Sequence, residues 1–348
     1  MDGNSKHGRW PRAGSVRTSF LRACRRVAAP LAVVALALGL AACHEAPQPP
    51  IAVGVNTWVG YDPLVLARDR GLADARQLKV VELISTAEVL RHLRNGLLDA
   101  AGMTMDEALR LKDSGVDVRI VALLDTSAGA DVVLAAPHIK NLQALRGESI
   151  AVEDATVGTL MLERLLQRAK LKRDDVTVVR MDATQHITAL ESDRVAAAVS
   201  YAPVDVALRA SGYRPIFDSR QMPGEIVDLL VVRTDVLRER PQAVDALLNA
   251  WAAGLESMQK HPSSAAASLA PGADLSPEQY LSVQRGLRFY TPAESLELLQ
   301  GDPPALAQQG ESVAWLLQEL NLLSAQPVWA ALIDTAPAVR AATNLPLP

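Results

Sequence analysis

Two large aromatic rings, Trp58 and Tyr61, lie on either side of Gly60 in a chain of which only 4% of the residues are aromatic. The residues before them have the pattern of a strand and Asp62-Pro63 has the pattern of a helix start, so we predict a loop at a strand end. Such rings give a large contact area and keep a polar edge, which suits a ligand platform. The alternative is a hydrophobic staple on the following helix. A staple needs one apolar residue rather than two rings, so we favour the platform.

Other candidates for ligand contact follow later predicted strands. Thr156 and Gly158, at a predicted helix start, could donate backbone N–H groups to an oxyanion, although Thr156 serves equally well as a helix N-cap. Asp131 and Asp228 lie in two predicted crossovers, where they could bind a ligand amine or stabilise a hinge. Tyr201 offers a second ring from the other half of the chain, or a core residue at a strand end.

Catalytic and metal-binding patterns are absent from the sequence. It contains no G-x-S-x-G, P-loop or G-x-G-x-x-G motif, and the histidines of the exported chain, at 44, 92, 138, 186 and 261, have no metal-ligand spacing. Glu153 and Asp154 are adjacent, so their side chains diverge, and a solvated or capping role is favoured over acid/base work. We therefore expect no enzyme, no cofactor and no metal.

The elements that must position these residues alternate from Ile51 onward between short β-rich runs and helical patterns, which is typical of a parallel α/β sheet. Beyond Arg233 the pattern turns almost wholly helical, with helices expected over 276–289 and 304–323. We predict two α/β lobes, residues 51–134 plus 229–348 (lobe I) and 135–228 (lobe II). The runs DVVLAAP and EIVDLLVV would be the crossovers, with a hinge and a cleft beside them.

The N-terminal 43 residues have the features of an export signal. A basic segment precedes the apolar run 27–40, which is too short to cross a bilayer, and Leu40-Ala41-Ala42-Cys43 resembles a bacterial lipobox. We expect cleavage before Cys43 and lipidation of its thiol; the alternative is an ordinary signal peptide with an incidental cysteine. Residues 44–50 then form a short Pro-rich tether.

Charge restricts the partners of the exported chain. Residues 1–43 hold seven of the 35 basic residues and one of the 39 acids, so the remainder has a formal charge of −10. Nucleic acid is a poor partner for such a chain. With Cys24 removed and Cys43 lipidated, no thiol remains for a disulfide or a metal.

Four stretches together resemble the nitrate, sulfonate and taurine class of ABC-transporter solute-binding proteins, over about residues 51–260. They are NTWVGYDPLVLARDRGL, AEVLRHLRNGLLDAAGMTMDEAL, LLDTSAGADVVLA and IFDSRQMPGEIVDLLVVRTDVL. The resemblance implies a type II periplasmic-binding-protein fold, with two α/β lobes that close on a ligand. The ligand site of that class maps here to Trp58, Tyr61, Thr104, Ser127, Asp131, Thr156 and Gly158. Many relatives have a Glu where this chain has Ala202, between Tyr201 and Pro203, which weakens the transfer of a specific substrate.

We therefore expect a monomeric, periplasm-facing lipoprotein that captures a small organic solute by lobe closure and delivers it to an ABC permease and ATPase. The solute could be sulfonate- or taurine-like, nitrate-like or pyrimidine-like. The candidate loops contain no Lys or Arg, which argues against a bare inorganic anion held by charge pairing. Two alternatives stay open. One is a ligand-sensing partner of a membrane receptor; the other is an enzyme similar to the thiamine-pyrimidine synthases, whose Cys-rich motif and reactive His find a poor match here.

Overall fold

The computed structural model describes residues 48–153 and 156–344, together with Met1. Contacts between residues divide the chain into two units, Met1–Gln48 and Pro49–Pro348, and every strand and helix of the described residues belongs to the second unit. The predicted signal segment, including Cys43, lies outside the described residues. Within the described part of the chain, no helix has both the length and the apolar character needed to cross a membrane.

The strands of the described residues are β1 (Ile51–Val55), β2 (Leu78–Glu82), β3 (Ala100–Thr104), β4 (Val118–Ser127), β5 (Val132–Ala135), β6 (Ser149–Val152), β7 (Thr177–Arg180), β8 (Ala197–Ser200), β9 (Arg214–Asp218), β10 (Val227–Arg233) and β11 (Leu287–Phe289). The helices are α1 (Asp62–Asp69), α2 (Thr86–Arg94), α3 (Met105–Asp113), α4 (Thr156–Ala169), α5 (His186–Glu191), α6 (Val204–Ala210), α7 (Thr234–Glu239), α8 (Pro241–Lys260), α9 (Pro262–Leu269), α10 (Pro277–Gln284), α11 (Pro292–Leu299), α12 (Ala305–Glu319), α13 (Trp329–Leu332) and α14 (Ala336–Asn344).

The strands form two mixed sheets. The first has the order β11-β4-β10-β3-β1-β2 and the second the order β7-β6-β8-β5-β9. In the first, β1 pairs in parallel with β2 and β3, while β10 is antiparallel to both β3 and β4. In the second, β6 pairs in parallel with β7 and β8, and β5 is antiparallel to β8 and β9. The α/β class expected from the alternating pattern is confirmed.

The chain passes between the sheets at residues 128–131 and 219–226, which are short loops. The two runs that we expected to be crossovers are instead inner strands: β5 pairs within the second sheet and β10 within the first. Residues 132–134 therefore belong to the second sheet and residues 227–228 to the first, a few residues from the predicted lobe boundaries. Both runs are buried along their length, as expected of strands with a neighbour on each side.

Hydroxyl groups join the two crossovers side by side. Ser127 Oγ lies 2.8 Å from Ser219 Oγ, and Ser219 Oγ also accepts from the Gly129 N–H at 2.6 Å. The Asp131 N–H donates to Ser127 Oγ at 3.1 Å, and the Ser219 N–H donates to the Asp131 carbonyl at 3.0 Å. Gly129 has a φ of +114°, which an L side chain rarely adopts. The crossovers thus form a hydrogen-bonded pair that has the arrangement of a hinge.

The segment after α10 also contacts this hinge. The expectation of one helix over 276–289 was wrong for its last residues. Helix α10 ends at Gln284, and residues 287–289 form β11 at the edge of the first sheet beside β4. The Ala128 N–H donates to the Gly286 carbonyl at 2.7 Å. A Cβ at Gly286 would lie 2.9 Å from Ala130 N, so the chain must approach the crossover as bare backbone.

Close packing of α8 against α1 sets the position of the loop that carries the two rings. A Cβ at Gly254 would lie 1.8 Å from the Pro63 carbonyl oxygen, so only glycine lets the two helices come together at this point. Trp251, one helical turn earlier, donates from Nε1 to the Tyr290 carbonyl at 2.9 Å. This packing holds the start of α1, and therefore the turn before it, against the first sheet.

Candidate functional site

A cavity lies between the two lobes, at the ends of their strands. Its walls are Asn56, Trp58, Tyr61, Thr86, Thr104, Glu107, Asp131, Glu153, Val157, Tyr201, Ile226 and Asp228. The empty space is about 350 Å³, but only about 30 Å³ of it is open to the centre of a water molecule. A water needs about 10–15 Å³ of space that its centre can reach, so two or three waters fit between the lobes in this arrangement. A larger solute requires the two lobes to move apart.

The turn that carries the rings is a single 3-10 turn, Val59–Tyr61, directly before α1. The Tyr61 N–H donates to the Trp58 carbonyl at 3.1 Å, and the Trp58 N–H donates to Asn56 Oδ1 at 3.2 Å. A Cβ at Gly60 would lie 2.2 Å from Trp58 Nε1 and 2.3 Å from an oxygen of Asp125. Glycine is therefore required because the indole and a buried carboxyl both fold over this position.

Tyr61 points inward from the same turn. Its ring lies over Gly102 in β3, where a Cβ would come within 2.9 Å of the ring, and its hydroxyl donates to Asp228 Oδ1 in β10. Burial, and next the negative charge of Asp228, hold the pKa of Tyr61 well above its usual value. At every physiological pH the tyrosine is therefore a neutral hydrogen bond donor to this carboxyl.

Asp228 and Asp125 face each other on neighbouring antiparallel strands beneath the Trp58 indole. Burial raises the pKa of Asp228 to about 7, against hydrogen bonding from Tyr61. Burial, and next the charge of Asp228, raise the pKa of Asp125 well above its usual value, against the indole N–H. Neither Asp125 oxygen nor Asp228 Oδ2 has a hydrogen bond of acceptable geometry. Two facing carboxyls without a cation favour the form in which one holds a proton.

Asp131 closes the floor of the cavity at the first crossover. Its side chain is 4% exposed, its Oδ2 has no hydrogen bond partner, and its backbone takes part in the hydrogen bonds of the hinge. Burial raises the pKa of this carboxyl to about 7, against a hydrogen bond from Ser127. Asp131 therefore has two roles: its backbone makes hydrogen bonds within the hinge, and its carboxyl lines the cavity.

The second lobe contributes the opposite wall. The Tyr201 ring meets the Trp58 ring edge to face, with 5.5 Å between centroids and an interplanar angle of 89°. Its hydroxyl donates to Glu153 Oε2 at 3.0 Å. Burial raises the pKa of Glu153, against this hydrogen bond. The aromatic pair spans the cleft, with one ring supplied by each lobe.

Of the nine residues predicted to contact a ligand, six line this cavity: Trp58, Tyr61, Thr104, Asp131, Tyr201 and Asp228. Two of the other three, Ser127 and Gly158, do not. Ser127 belongs to the hinge, and Gly158 lies inside α4, where a Cβ would meet Val152 Cγ1 at 2.8 Å; its small size serves packing of helix on strand. Thr156 is the first residue of α4.

Six lining residues were missed: Asn56, Thr86, Glu107, Glu153, Val157 and Ile226. Asn56 and Glu153 directly follow β1 and β6, so the rule that sites form at strand ends could have found both. Glu107 is hidden by its local role, because its carboxylate accepts from the Thr104 N–H at 2.9 Å and caps α3. Thr86, which accepts from Asn56 Nδ2 at 2.8 Å, and Ile226 give no sequence signal of their own.

Next to the cavity lies a second space, with about 710 Å³ of empty volume, that shares Glu153 and Tyr201 with it and is called the mouth. The other walls of this mouth are Thr57, Ile84, Ser85, Glu88, Asp182, Ala183, Thr184, Pro203 and Val204. A separate space of about 820 Å³ lies across the hinge, where α6 faces α10, and includes the Asp205–Arg209 ion pair. Of these three spaces, the central cavity and its mouth are the ones with aromatic walls.

The sequence of this chain matches a known protein family. A family model described as NMT1/THI5 like matches residues 61–265, more than half of the chain. Putative binding proteins of Brucella are also similar: that of Brucella abortus (strain 2308) is 27% identical over 211 residues, which cover 57% of this chain and 64% of the relative. The match therefore spans less than two thirds of the length of these relatives.

Solved structures share the fold at low sequence identity. The alkanesulfonate-binding protein SsuA from Xanthomonas axonopodis pv. citri, bound to MOPS, has a TM-score of 0.72 and 17% identity, covering 84% of this chain and 100% of that chain. The periplasmic aliphatic sulphonate binding protein SsuA from Escherichia coli gives 0.69 and 17%, with 83% and 92% coverage. The desulfurization enzyme DSZB gives 0.65 and 16%, with 85% and 99% coverage. The fold is that of periplasmic binding proteins, and at least one enzyme uses it as well.

Proposed function

Since this chain belongs to the NMT1/THI5-like family, we propose that it is an extracytoplasmic solute-binding protein that captures a small organic solute between its lobes and delivers it to an ABC permease. The observation that supports this most directly is the aromatic pair across the cleft, Trp58 from one lobe and Tyr201 from the other. A solute held between such rings contacts both lobes at once. Contacts to both lobes favour the closed arrangement over the open one.

The same cavity favours binding over catalysis. Its walls are aromatic, amide, hydroxyl, aliphatic and carboxyl side chains, and the described lining residues include no Ser, Cys, His or Lys that could pair with these groups as nucleophile or base. In the described second lobe, His186 is fully buried next to Ser200, and burial lowers its pKa to about 4. Neither residue lines the cavity.

Location and partners complete the proposal. The Brucella relatives are named as binding proteins, and the two SsuA proteins as sulfonate-binding proteins. We propose the same general role here, with Cys43 as a lipid anchor that holds the protein at the cell envelope and with lobes that open and close about residues 128–131 and 219–226. Delivery to a permease and ATPase follows from this role.

A thermal-shift screen of the purified protein tests the proposal. The panel contains alkanesulfonates, taurine, nitrate, amino acids, amines and pyrimidines. A true ligand at 100 times its Kd adds about 2.7 kcal/mol to the free energy of unfolding, and we expect at least one class to raise the Tm accordingly. Trp58→Ala should remove that shift. Trp315→Ala is the matched control, because Trp315 is 58% exposed and lies outside the cleft.

Two results would count against a solute-binding role. One is the absence of any shift across the whole panel. The other is a shift of full size in Trp58→Ala, which would place the bound compound somewhere other than between the rings. A variant that melts much lower than wild type still gives a valid comparison, because the shift is measured against the same variant without ligand.

A further inference from the structure

The charge of the cleft is one-sided. Four of the lining side chains are acids, Glu107, Asp131, Glu153 and Asp228, and none of the described residues that line the cavity is Lys or Arg. The mouth adds Glu88 and Asp182 and again has no basic residue among its walls. A cleft lined by one sign of charge and closed by low-dielectric walls concentrates solutes of the opposite sign.

Acids alone do not make a site, but two of these have unused hydrogen-bonding capacity. Glu107 accepts from the Thr104 N–H and Glu153 from the Tyr201 hydroxyl. Asp131 Oδ2 and Asp228 Oδ2 are buried and make no hydrogen bond of acceptable geometry with the described residues, while both residues line the cavity and are only 4% and 1% exposed. A buried acceptor without a donor is costly, so a ligand that donates hydrogen bonds to these two oxygens is strongly favoured.

An anion would meet the opposite situation. The charged groups that act on Asp131 are Asp228, Asp106 and Asp205, with no cation among them. The side chains that act on Asp228 are Tyr61, Asp125, Asp106 and Trp58, which include no cation. A sulfonate or nitrate placed here would have carboxyls and phenols around it, and no positive charge to offset its loss of water.

The aromatic walls point the same way. The faces of Trp and Tyr rings carry negative charge and attract cations, with Trp the most effective. The Trp58 and Tyr201 rings are close to perpendicular, so a bound group meets a face of one ring and an edge of the other. Within the described residues, no three His, Cys, Asp or Glu side chains are arranged to hold a metal ion. A carbon-containing cation uses both the rings and the carboxyls.

We propose that the cleft binds a compact organic cation, with its protonated nitrogen donating to Asp131 and Asp228 and its carbon part lying against Trp58 and Tyr201. This names the solute class of the proposed function and rests on it. It narrows the range expected from the sequence, because it favours amines and protonated nitrogen heterocycles over sulfonates and nitrate.

Three matched probes test the charge directly: benzylamine, benzyl alcohol and benzenesulfonate, which share one ring and differ in charge. Titration calorimetry at pH 8 should detect the amine, with the alcohol at least about tenfold weaker and the sulfonate undetectable. The amine stays protonated between pH 6 and 8, whereas carboxyls with a pKa of about 7 do not stay ionised. Its affinity should therefore fall about tenfold from pH 8 to pH 6 for each carboxyl that must lose its proton.

Variants locate the effect within the protein. Asp131→Asn and Asp228→Asn should each weaken benzylamine about tenfold or more at pH 8 and reduce the pH dependence. Asp62→Asn is the matched control: it is also an aspartate with a pKa raised to about 7 by burial and accepts from a tyrosine, Tyr280, but it does not line the cavity. It should bind as wild type does. If an aspartate variant fails to fold, the pH series on wild type still decides.

The outcomes separate the two proposals. Tighter binding of benzenesulfonate than of benzylamine, lost in Trp58→Ala, would overturn the cation and leave the solute-binding role intact. Equal binding of amine and alcohol, or an amine affinity that does not change with pH, would also overturn the cation. Failure of all three probes, together with failure of the wider panel, would count against both proposals.

Discussion

Asp131→Asn should change how the stability of the ligand-free protein depends on pH. Burial raises the pKa of Asp131 from 3.8 to about 7, so the folded state binds this proton more tightly than the unfolded state does. The stabilisation is fully present below about pH 4 and is lost as the pH rises through 7. Asparagine has no proton to lose, so the variant lacks this part of the pH dependence.

The size of the effect follows from the two pKa values. One pKa unit corresponds to about 1.4 kcal/mol, and most of the interval from 3.8 to about 7 lies between pH 5 and 8. Wild type should therefore lose about 2–3 kcal/mol more of its free energy of unfolding than Asp131→Asn over that range. At about 2 °C per kcal/mol for a chain of this size, the difference in Tm between the two proteins should change by about 4–6 °C.

Thermal melts of both proteins at pH 5, 6, 7 and 8 measure this difference, and any constant cost of the asparagine cancels from it. Glu319→Gln is the control: Glu319 is an exposed carboxyl near the end of α12, and its variant should follow wild type at every pH. A difference between wild type and Asp131→Asn that stays constant to within about 0.5 kcal/mol would refute the reasoning. It would mean that Asp131 keeps its charge in the fold, and the acid cluster would need a different account.

Three further substitutions test separate parts of the site and the anchor. Gly60→Ala places a Cβ 2.2 Å from Trp58 Nε1. It should lower the free energy of unfolding by about 1–3 kcal/mol and shift the tryptophan fluorescence. The control is Gly272→Ala, whose Cβ would have no atom within 4 Å and which should have neither effect. Tyr61→Phe removes the donor to Asp228 and should cost about 1–3 kcal/mol; Tyr213→Phe, at a half-buried tyrosine outside the cavity, should be close to neutral, and equal losses would speak against a special role for the hydroxyl. Cys43→Ser should leave an unprocessed precursor, and normal lipid labelling of that variant would disprove lipidation at Cys43.

The alternation of patterns predicted the fold because each element's periodicity is local. α1 begins at Asp62, where Asp62-Pro63 predicted a helix start, because Pro63 restricts the backbone locally, and the chain leaves the helix at Gly71, whose φ is +64°. β11 was not predicted because three residues are too few to show a period. Its strand conformation is set by pairing with β4. The lobe boundaries shifted for a similar reason, since an apolar run does not reveal which sheet it joins.

The residues that the sequence predicted for the site lie at the cavity where both their type and their position at a strand end indicated the cleft, as for Trp58 and Asp228; their contact with a ligand stays a prediction. Sequence reasoning did not separate such residues from those that perform a local task with the same pattern in sequence. Ser127 and Gly158 were expected in the site but serve the hinge and the packing of α4, whereas Glu107, which was not among the predicted site residues, lines the cavity while it caps α3. These roles depend on which strands become neighbours, and the local pattern of residues does not reveal that pairing.

The buried acids of the cleft have a cost in stability that an apolar core would not have. Asp125, Asp131 and Asp228 are each 4% exposed or less and have raised pKa values, so they lower the stability of the empty protein at neutral pH. Apolar residues of similar size would remove that cost. A cation that donates to Asp131 and Asp228 would recover part of this free energy on binding, at the point where the two crossovers meet. The free energy lost by burying these carboxyls would then be regained in part when the ligand binds and the lobes close. A substitution that stabilises the empty protein at these aspartates should therefore raise its Tm and reduce the shift in Tm caused by ligand.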